Sequence, residues 1–389
     1  MLRFMTAGES HGPALTAILE GLPAGITVDL KQINTDLARR QQGFGRGGRM
    51  LIEKDKAEIM SGVRFGQTLG SPVTLQISNR DWANWQERMS QFGKPAGSMI
   101  TAPRPGHADL PGILKYGRND VRDILERASA RETAARVAVG AVCKELLAAV
   151  DIKIGSYVVN IGGVNAQAVP ESYEDLLKRR QQSELGCIDP EAETKMKAVI
   201  IEAKEQGDSL GGIFEVVAYG AMPGLGSHVQ WDRRLDTKLA GALMSIQAIK
   251  GVELGAGFAC ANLPGSQIHD EIYYDSNRGY CHHTNNAGGI EGGITNGEPI
   301  IVRAAMKPIP TLMKPLLSID ISSKEPLKAN TERSDVCAVT AAAVVGEAMA
   351  AFVLADALVE KFGGDSIAEI MKRVTEYRQY VRKGSSDCG

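Results

Sequence analysis

The sequence predicts an α+β protein in which long buried helices form a layer covered by sheets. Two stretches, 119–150 and 335–362, each read as one long helix; the first is mostly Ala, Val and Leu from Ala134 on, and the second is rich in Ala and Val on most faces. A helix that is apolar nearly all round is buried on both sides. Strand-like segments flank both stretches, so sheets are the natural cover. Ordinary amphipathic helices with small residues at their crossing would leave a similar composition. Length is the third observation: 389 residues allow two or three domains or one large one, with a sizeable core in either case.

The elements follow in order. Residues 14–30 and 58–78 mix polar and apolar residues as strands do, with helix-like 33–42 and strand-like 50–52 between them. The first long helix has Asn119 as its expected N-cap and no internal proline. Strands are expected at 152–161 and 213–219, charged exposed helices at 171–183 and 189–206, and a further helix at 232–250. Strands at 299–306 and 317–321 precede the second long helix. No 20–50-residue repeat and no Pro/Ser linker divides the chain.

Composition excludes several classes. With 43% hydrophobic and 23% charged residues, the chain is neither disordered, collagenous nor a small disulfide scaffold. Lys+Arg is 44 against Asp+Glu 46, which argues against a nucleic-acid coat but permits a local basic patch. The 43 glycines beside only 5% aromatics point to loops where backbone closely approaches something. The N-terminal MLRFMTAGESHG lacks the apolar core of a signal peptide. The most apolar stretch, 336–359, contains Glu347 and Asp356, so no membrane span is expected. Six scattered cysteines without a C-x-x-C pair suit reduced thiols in the cytoplasm. Cys281-His282-His283 offers adjacent ligands without a second pair, which is poor zinc spacing, so no metal is expected.

Several motifs carry chemistry. Gly8-Glu9-Ser10-His11-Gly12 fits G-x-S-x-G, the nucleophile elbow of serine hydrolases. That elbow follows an established sheet and opens a helix, whereas this one begins at residue 8 and meets Pro13. What remains is a Gly-bounded loop presenting Ser10 and His11 for acid–base or phosphate contact. Gly43-Phe44-Gly45-Arg46-Gly47-Gly48 matches G-x-G-x-x-G in the wrong order of elements for a dinucleotide site. Its arginines are more informative. Arg39, Arg40, Arg46 and Arg49 stand with no acidic residue between Asp36 and Glu53, giving forked donors for phosphate or carboxylate. A solvated loop or an RNA contact would use the same residues, but only Phe44 is present for base stacking.

Arg104-Pro105-Gly106-His107-Ala108-Asp109 fixes a bend beside a basic pair; Asp109 either tunes His107 as an acid or caps a turn. Arg127 and Arg131 share a helical face, where each needs an anion or a carboxylate partner. Residues 284–293 carry four glycines, suited to cradling a ligand or to a flexible loop. Lys307-Pro308-Ile309-Pro310-Thr311 is rigid with a cation at one end, and Arg333-Ser334-Asp335 opens the second long helix. Together these arginines suit ligands carrying several negative charges.

In this order, GESHGP, RRQQGFGRGGRM, RPGHAD, RASARET, SIQAIKGVE, TNNAGGIEGG, KPIPT and TERSD resemble the chorismate synthase family over nearly the whole chain. The resemblance implies a monofunctional bacterial type, one domain over 1–389, and a β-α-β sandwich with central long helices between antiparallel sheets. It implies a 1,4-elimination of phosphate from 5-enolpyruvylshikimate 3-phosphate, requiring reduced FMN without net redox change. By motif, His11 corresponds to the acid for the departing phosphate, His107 to the histidine beside the reduced flavin, and Asp335 to a proton acceptor near flavin N5. Ser10 and Ser129 would orient these groups; Arg40, Arg46, Arg49, Arg104, Arg131 and Arg333 would grip substrate anions. FMN contacts would be Arg127, Ala128, Ser129, Gln247, Ala248, Gly292, Lys307, Pro308, Ile309, Pro310, Thr311 and Arg333; the family usually has Asn at the position of Gln247. Arg40 and Arg46 are also where the family places NADPH contacts. A cytoplasmic homotetramer served by a separate flavin reductase, with no nucleic-acid or membrane partner, completes what the resemblance implies.

Overall fold

The computed structural model describes residues 1–47, 54–94, 96–276, 279–331 and 335–383. The expected strand at 50–52, Arg49 and Arg333 lie outside them.

In chain order the main elements are β1 (Arg3–Ala7), β2 (Ala14–Glu20), α1 (Leu30–Gln41), β3 (Ala57–Ser61), β4 (Val73–Ser78), α2 (Asp109–Tyr116), α3 (Arg122–Ala128) and α4 (Thr133–Ala148). Then come β5 (Lys153–Ile161), β6 (Val164–Asn165), α5 (Tyr173–Gln181), α6 (Pro190–Glu205), β7 (Gly212–Tyr219), α7 (Leu235–Met244), β8 (Ile249–Leu254), β9 (Ile300–Met306), α8 (Val339–Phe362) and α9 (Ile367–Lys383). One antiparallel sheet has the order β1-β2-β4-β3 and the other β8-β9-β7-β5-β6.

The period-2 pattern decides which face of each strand is covered. Leu15, Ala17 and Leu19 on β2 and Val73, Leu75 and Ile77 on β4 are buried, and α4 packs against both strands. Helix α8 packs against β5 and β7 of the other sheet, and α4 and α8 pack on each other with α1 against both. The second sheet is also covered outside, where Leu176 of α5 joins Tyr157, Ile188 and Val217. Two helical glycines set the spacing of these layers. A Cβ on Gly140 would lie 2.3 Å from Cβ of Ala348, and one on Gly346 would lie 2.4 Å from the Phe214 ring. Any larger residue would force the two long helices, or α8 and its sheet, apart.

Helix α8 is long and apolar enough to span a membrane, with mean hydropathy 1.9, but 89% of that segment is buried inside the fold. It is the core helix that the all-round apolar pattern predicts.

Three element boundaries differ from expectation. The helix expected over 119–150 breaks at Ser129, whose backbone is extended (φ −62°, ψ 141°) and whose side chain accepts from the Arg131 N–H. A serine offering its own hydroxyl to the backbone competes with helix continuation. Asn119 does not cap it; Asp120 accepts from the Arg122 N–H instead. The helix expected over 232–250 ends at Met244, and Ala248 takes a positive φ of 67° before β8 begins. The second long helix starts at Val339, so Asp335 precedes it and is not its N-cap.

Candidate active site

The break at Ser129 opens a cavity of about 410 Å³ between the ends of several elements. Ser10 and His11 reach it from the loop joining β1 and β2. That loop hangs on one residue of α3: the Ser10 N–H donates to the Glu126 carbonyl (3.0 Å) and the His11 N–H to Glu126 Oε2 (2.9 Å). The His11 ring adds a third link, Nδ1 lying 2.9 Å from the same carboxylate, and its face stacks on Trp85 at 3.9 Å. Asn79 Nδ2 donates to the carbonyls of Glu9 and Gly12 and closes the turn. Gly8 is required here, since a Cβ at its φ of 109° would lie 2.3 Å from the Ala14 carbonyl oxygen.

His107 enters from the turn that precedes α2. Asp109, fully buried at the start of α2, accepts from the Arg104 N–H and Nε (3.0 and 2.9 Å), and its other oxygen lies 2.5 Å from His107 Nδ1. Arg104 Nη1 donates to Thr311 Oγ1, tying this turn to 307–311, while Lys307 Nζ donates to the Gly106 carbonyl. Asp109 therefore does more than cap: it orients Arg104 and His107 together. Burial works to raise its carboxyl, but hydrogen bonds from His107 and Arg104 outweigh that and hold it well below the usual range. Burial, reinforced by Lys250, pushes the Lys307 ammonium down.

Arg40 and Arg131 share Asp55. Arg40 Nη2 and Arg131 Nη1 each donate to Asp55 Oδ2 at 2.7 Å, and Arg131 also donates twice to Asn79 Oδ1. Burial alone would raise the Asp55 carboxyl, yet the two guanidinium groups hold it low. Burial depresses Arg40 in turn, with Asp55 opposing and Arg131 adding to the depression. Arg46 pairs with Asp335 at 3.0 Å, and the Gly47 N–H donates to the same carboxylate at 2.6 Å.

Among the described residues, five cationic side chains line the cavity: Arg40, Arg46, Arg104, Arg131 and Lys307. Among the described residues, the carboxylates touching them are Asp55, Asp109 and Asp335. The remaining wall is apolar, with Ile246, Met306, Ile309, Ala338, Ala342 and Val345. Gln247 also lines it and buries Oε1 without a hydrogen-bond partner.

Most expected site residues converge here: Ser10, His11, Arg40, Arg46, Arg104, His107, Ala128, Ser129, Arg131, Gln247, Ala248, Lys307, Ile309, Pro310, Thr311 and Asp335 all line the cavity. Pro308 and Gly292 do not line it; Gly292 sits in the turn between the short strands Ile290–Glu291 and Ile294–Thr295. Arg127 does not share a face with Arg131. The break turns it away, so it donates to the Thr6 and Gly8 carbonyls and lines a second cavity of about 460 Å³ that adjoins at Gln247. Sequence reasoning missed Glu126, Asp55, Asn79 and Trp85. Glu126 abuts the RASARET motif, and Asp55 is among the acidic residues that follow the arginine loop, but no spacing rule links either to its partner. The serine-hydrolase reading loses its context, because Ser10 lies on a strand–loop–strand connection and no helix follows it. His282, set aside as a metal ligand, is half-buried between Glu291 and Glu298 at 3.4 and 3.5 Å.

A cavity lined by clustered cations, apolar side chains and two carboxylate-held histidines is the site of an enzyme acting on a small molecule. The chain belongs to the chorismate synthase family, whose family model matches residues 2–359. It is 62% identical over 387 residues to chorismate synthase of Desulforamulus reducens, covering 98% of this chain and all of that one. It is 60% identical to that of Geobacter metallireducens over 391 residues, 98% of this chain and all of that one, and 59% identical to that of Aquifex aeolicus over 391 residues, 98% of each. A crystal structure of chorismate synthase superposes with a TM-score of 0.81 at 50% identity, covering 98% of this chain and 99% of that one.

Proposed function

We propose that this cavity converts 5-enolpyruvylshikimate 3-phosphate to chorismate and phosphate, with reduced FMN bound beside the substrate. The observation that supports it is the grouping of Arg40, Arg46, Arg104, Arg131 and Lys307 against an apolar wall in one cavity. The residues fit the cofactor: the apolar wall suits a flat ring, the cations suit phosphate, and the orphaned Gln247 Oε1 suits a ring N–H. The chemistry that bound reduced FMN would supply there is transient electron density for the departure of phosphate, with no net redox change.

The rest falls to the chain. The arginines, with Arg49 and Arg333, hold the substrate phosphate and two carboxylates, and Arg40 and Arg46 are available to NADPH. His11 delivers a proton to the leaving phosphate oxygen as the C–O bond breaks. Asp335, held by Arg46 and the Gly47 N–H, accepts the ring proton; the C–H pair becomes the new double bond, the existing one shifts, and phosphate leaves with the C–O pair. His107, fixed by Asp109, favours one protonation state of the flavin. Ser10 and Ser129 orient these groups. Arg127 and Gly292 would reach the cofactor from outside the main cavity. The same reading takes 1–389 as one domain, the two sheets and their helices as a β-α-β sandwich, and the working form as a cytoplasmic homotetramer supplied by a separate flavin reductase.

The test is anaerobic turnover with chemically reduced FMN, following both products. Equimolar chorismate and phosphate with the flavin unconsumed is expected. No turnover with FMN binding intact would overturn the reading.

A further inference from the structure

We propose that Glu126 is the positioning residue of His11, fixing its tautomer and aim so that Nε2 serves the leaving phosphate; this rests on the role given to His11 above. Glu126 lies on α3, 115 residues from His11, and is 3% exposed. Three hydrogen bonds join it to the Ser10–His11 loop, through its own carbonyl, one carboxylate oxygen and the His11 ring. A carboxylate accepts and does not donate, so Nδ1 carries the proton and Nε2 is the ring atom left for the cavity. An imidazole held this way is the arrangement by which a carboxylate sets a catalytic histidine's tautomer and orientation.

The surroundings complete a clamp. Trp85 stacks on the His11 ring and is held by Asp81, to which its Nε1 donates at 2.9 Å. Arg122 donates to Glu126 Oε1 at 2.8 Å and places its guanidinium 4.9 Å from the centre of the Trp85 ring. Arg88 lies 5.9 Å from that ring, and Arg40, Arg46, Arg104, Arg131 and Lys307 line the same cavity as His11. Arg122 alone does not account for Glu126. An i,i+4 pair would form on the helix surface without burying the carboxylate, and it would not need the loop's N–H groups. Burial works to raise the Glu126 carboxyl, and the His11 contacts overcome it.

The experiment is a double-mutant cycle on the holoenzyme. Glu126→Gln should lower kcat by about 10- to 100-fold while substrate KM and FMN affinity stay within about threefold. In a His11→Ala background the same change should cost nothing further, because its effect passes through the ring that has gone. Glu126→Asp, which keeps the charge but withdraws it by one methylene, should show the same dependence on His11. Unchanged kcat in Glu126→Gln would overturn the proposal, as would an equal loss in the His11→Ala background. Failure of both Glu126 variants to fold would assign the residue to the fold and overturn it too. Unchanged turnover in His11→Ala alone would instead overturn the role of His11, so the two failures are distinct.

Discussion

Arg39 and Arg40 are consecutive on α1, yet they serve two buried charge clusters of different character. Arg39 grips Glu347, in the middle of the core helix α8, through both terminal nitrogens at 2.9 and 2.8 Å. Lys144, Arg180 and Ser156 also donate to that carboxylate, and Asp36 pairs with Arg39 and Lys144. Arg40 joins the Asp55–Arg131 cluster at the cavity. Among the described residues, buried side-chain atoms without a partner include Arg40 Nε, Asp55 Oδ1 and Gln247 Oε1, and none from the Glu347 cluster. Satisfied charges lock elements together; charges left short of partners wait for a ligand. One cluster is the frame, the other the site.

The largest effect should come from breaking the frame. Glu347→Ala leaves Arg39, Lys144 and Arg180 without their shared carboxylate and should cost about 3–5 kcal/mol of stability. A urea unfolding midpoint reads it, and an unchanged midpoint would erase the distinction between the clusters. His107→Ala should lower turnover by about 10²–10⁴ if the histidine does proton work. The same urea titration should leave that variant near the parent, and lost stability with retained turnover would place His107 in the frame. Arg49→Ala should raise substrate KM more than it weakens FMN, with the reverse order moving that arginine to the cofactor.

Acid should strike frame and site together. The carboxyls of Glu347, Asp55, Asp109 and Glu126 are all held below their ordinary values. Their contribution is complete above the unfolded values, about pH 4 to 4.5, and is lost as pH falls through the lower folded ones. The melting temperature should therefore stay level from neutral pH to about pH 5 and then drop. Asp55→Asn should flatten that drop, and an identical slope would show that its pairing contributes nothing. The smallest effect belongs to Arg118→Ala, which removes an exposed pair with Asp123 and should change stability by less than about 0.5 kcal/mol.

Much of this was legible in the chain because it is local. The apolar pattern of 335–362 marked α8 as buried, and glycines, prolines and arginines marked 8–12, 43–48, 104–109 and 307–311 as candidate segments, each of which contributes to the cavity lining. The break at Ser129 was not legible, since helical periodicity runs on across it and only a side-chain bond to the Arg131 N–H reveals it. The positive φ of Ala248 was equally hidden, because no propensity favours alanine there. Asp335 looked like the start of the second long helix because it precedes an apolar run, but that helix begins at Val339. The partners of Asp335, Arg46 and Gly47, lie nearly 300 residues away in sequence.

By itself, then, the sequence determined the buried helices, the strands whose alternation marks one covered face, the cationic residues that line the cavity and the family. These depend on spacing along a few turns or strands, where chain geometry leaves little choice. Only the tertiary structure decided the pairings of Glu126 with His11, Asp55 with Arg40 and Arg131, and Arg104 with Thr311. Each is a contact between distant segments, and which carboxylate meets which cation is set by how the helices and sheets pack, not by any interval in the chain.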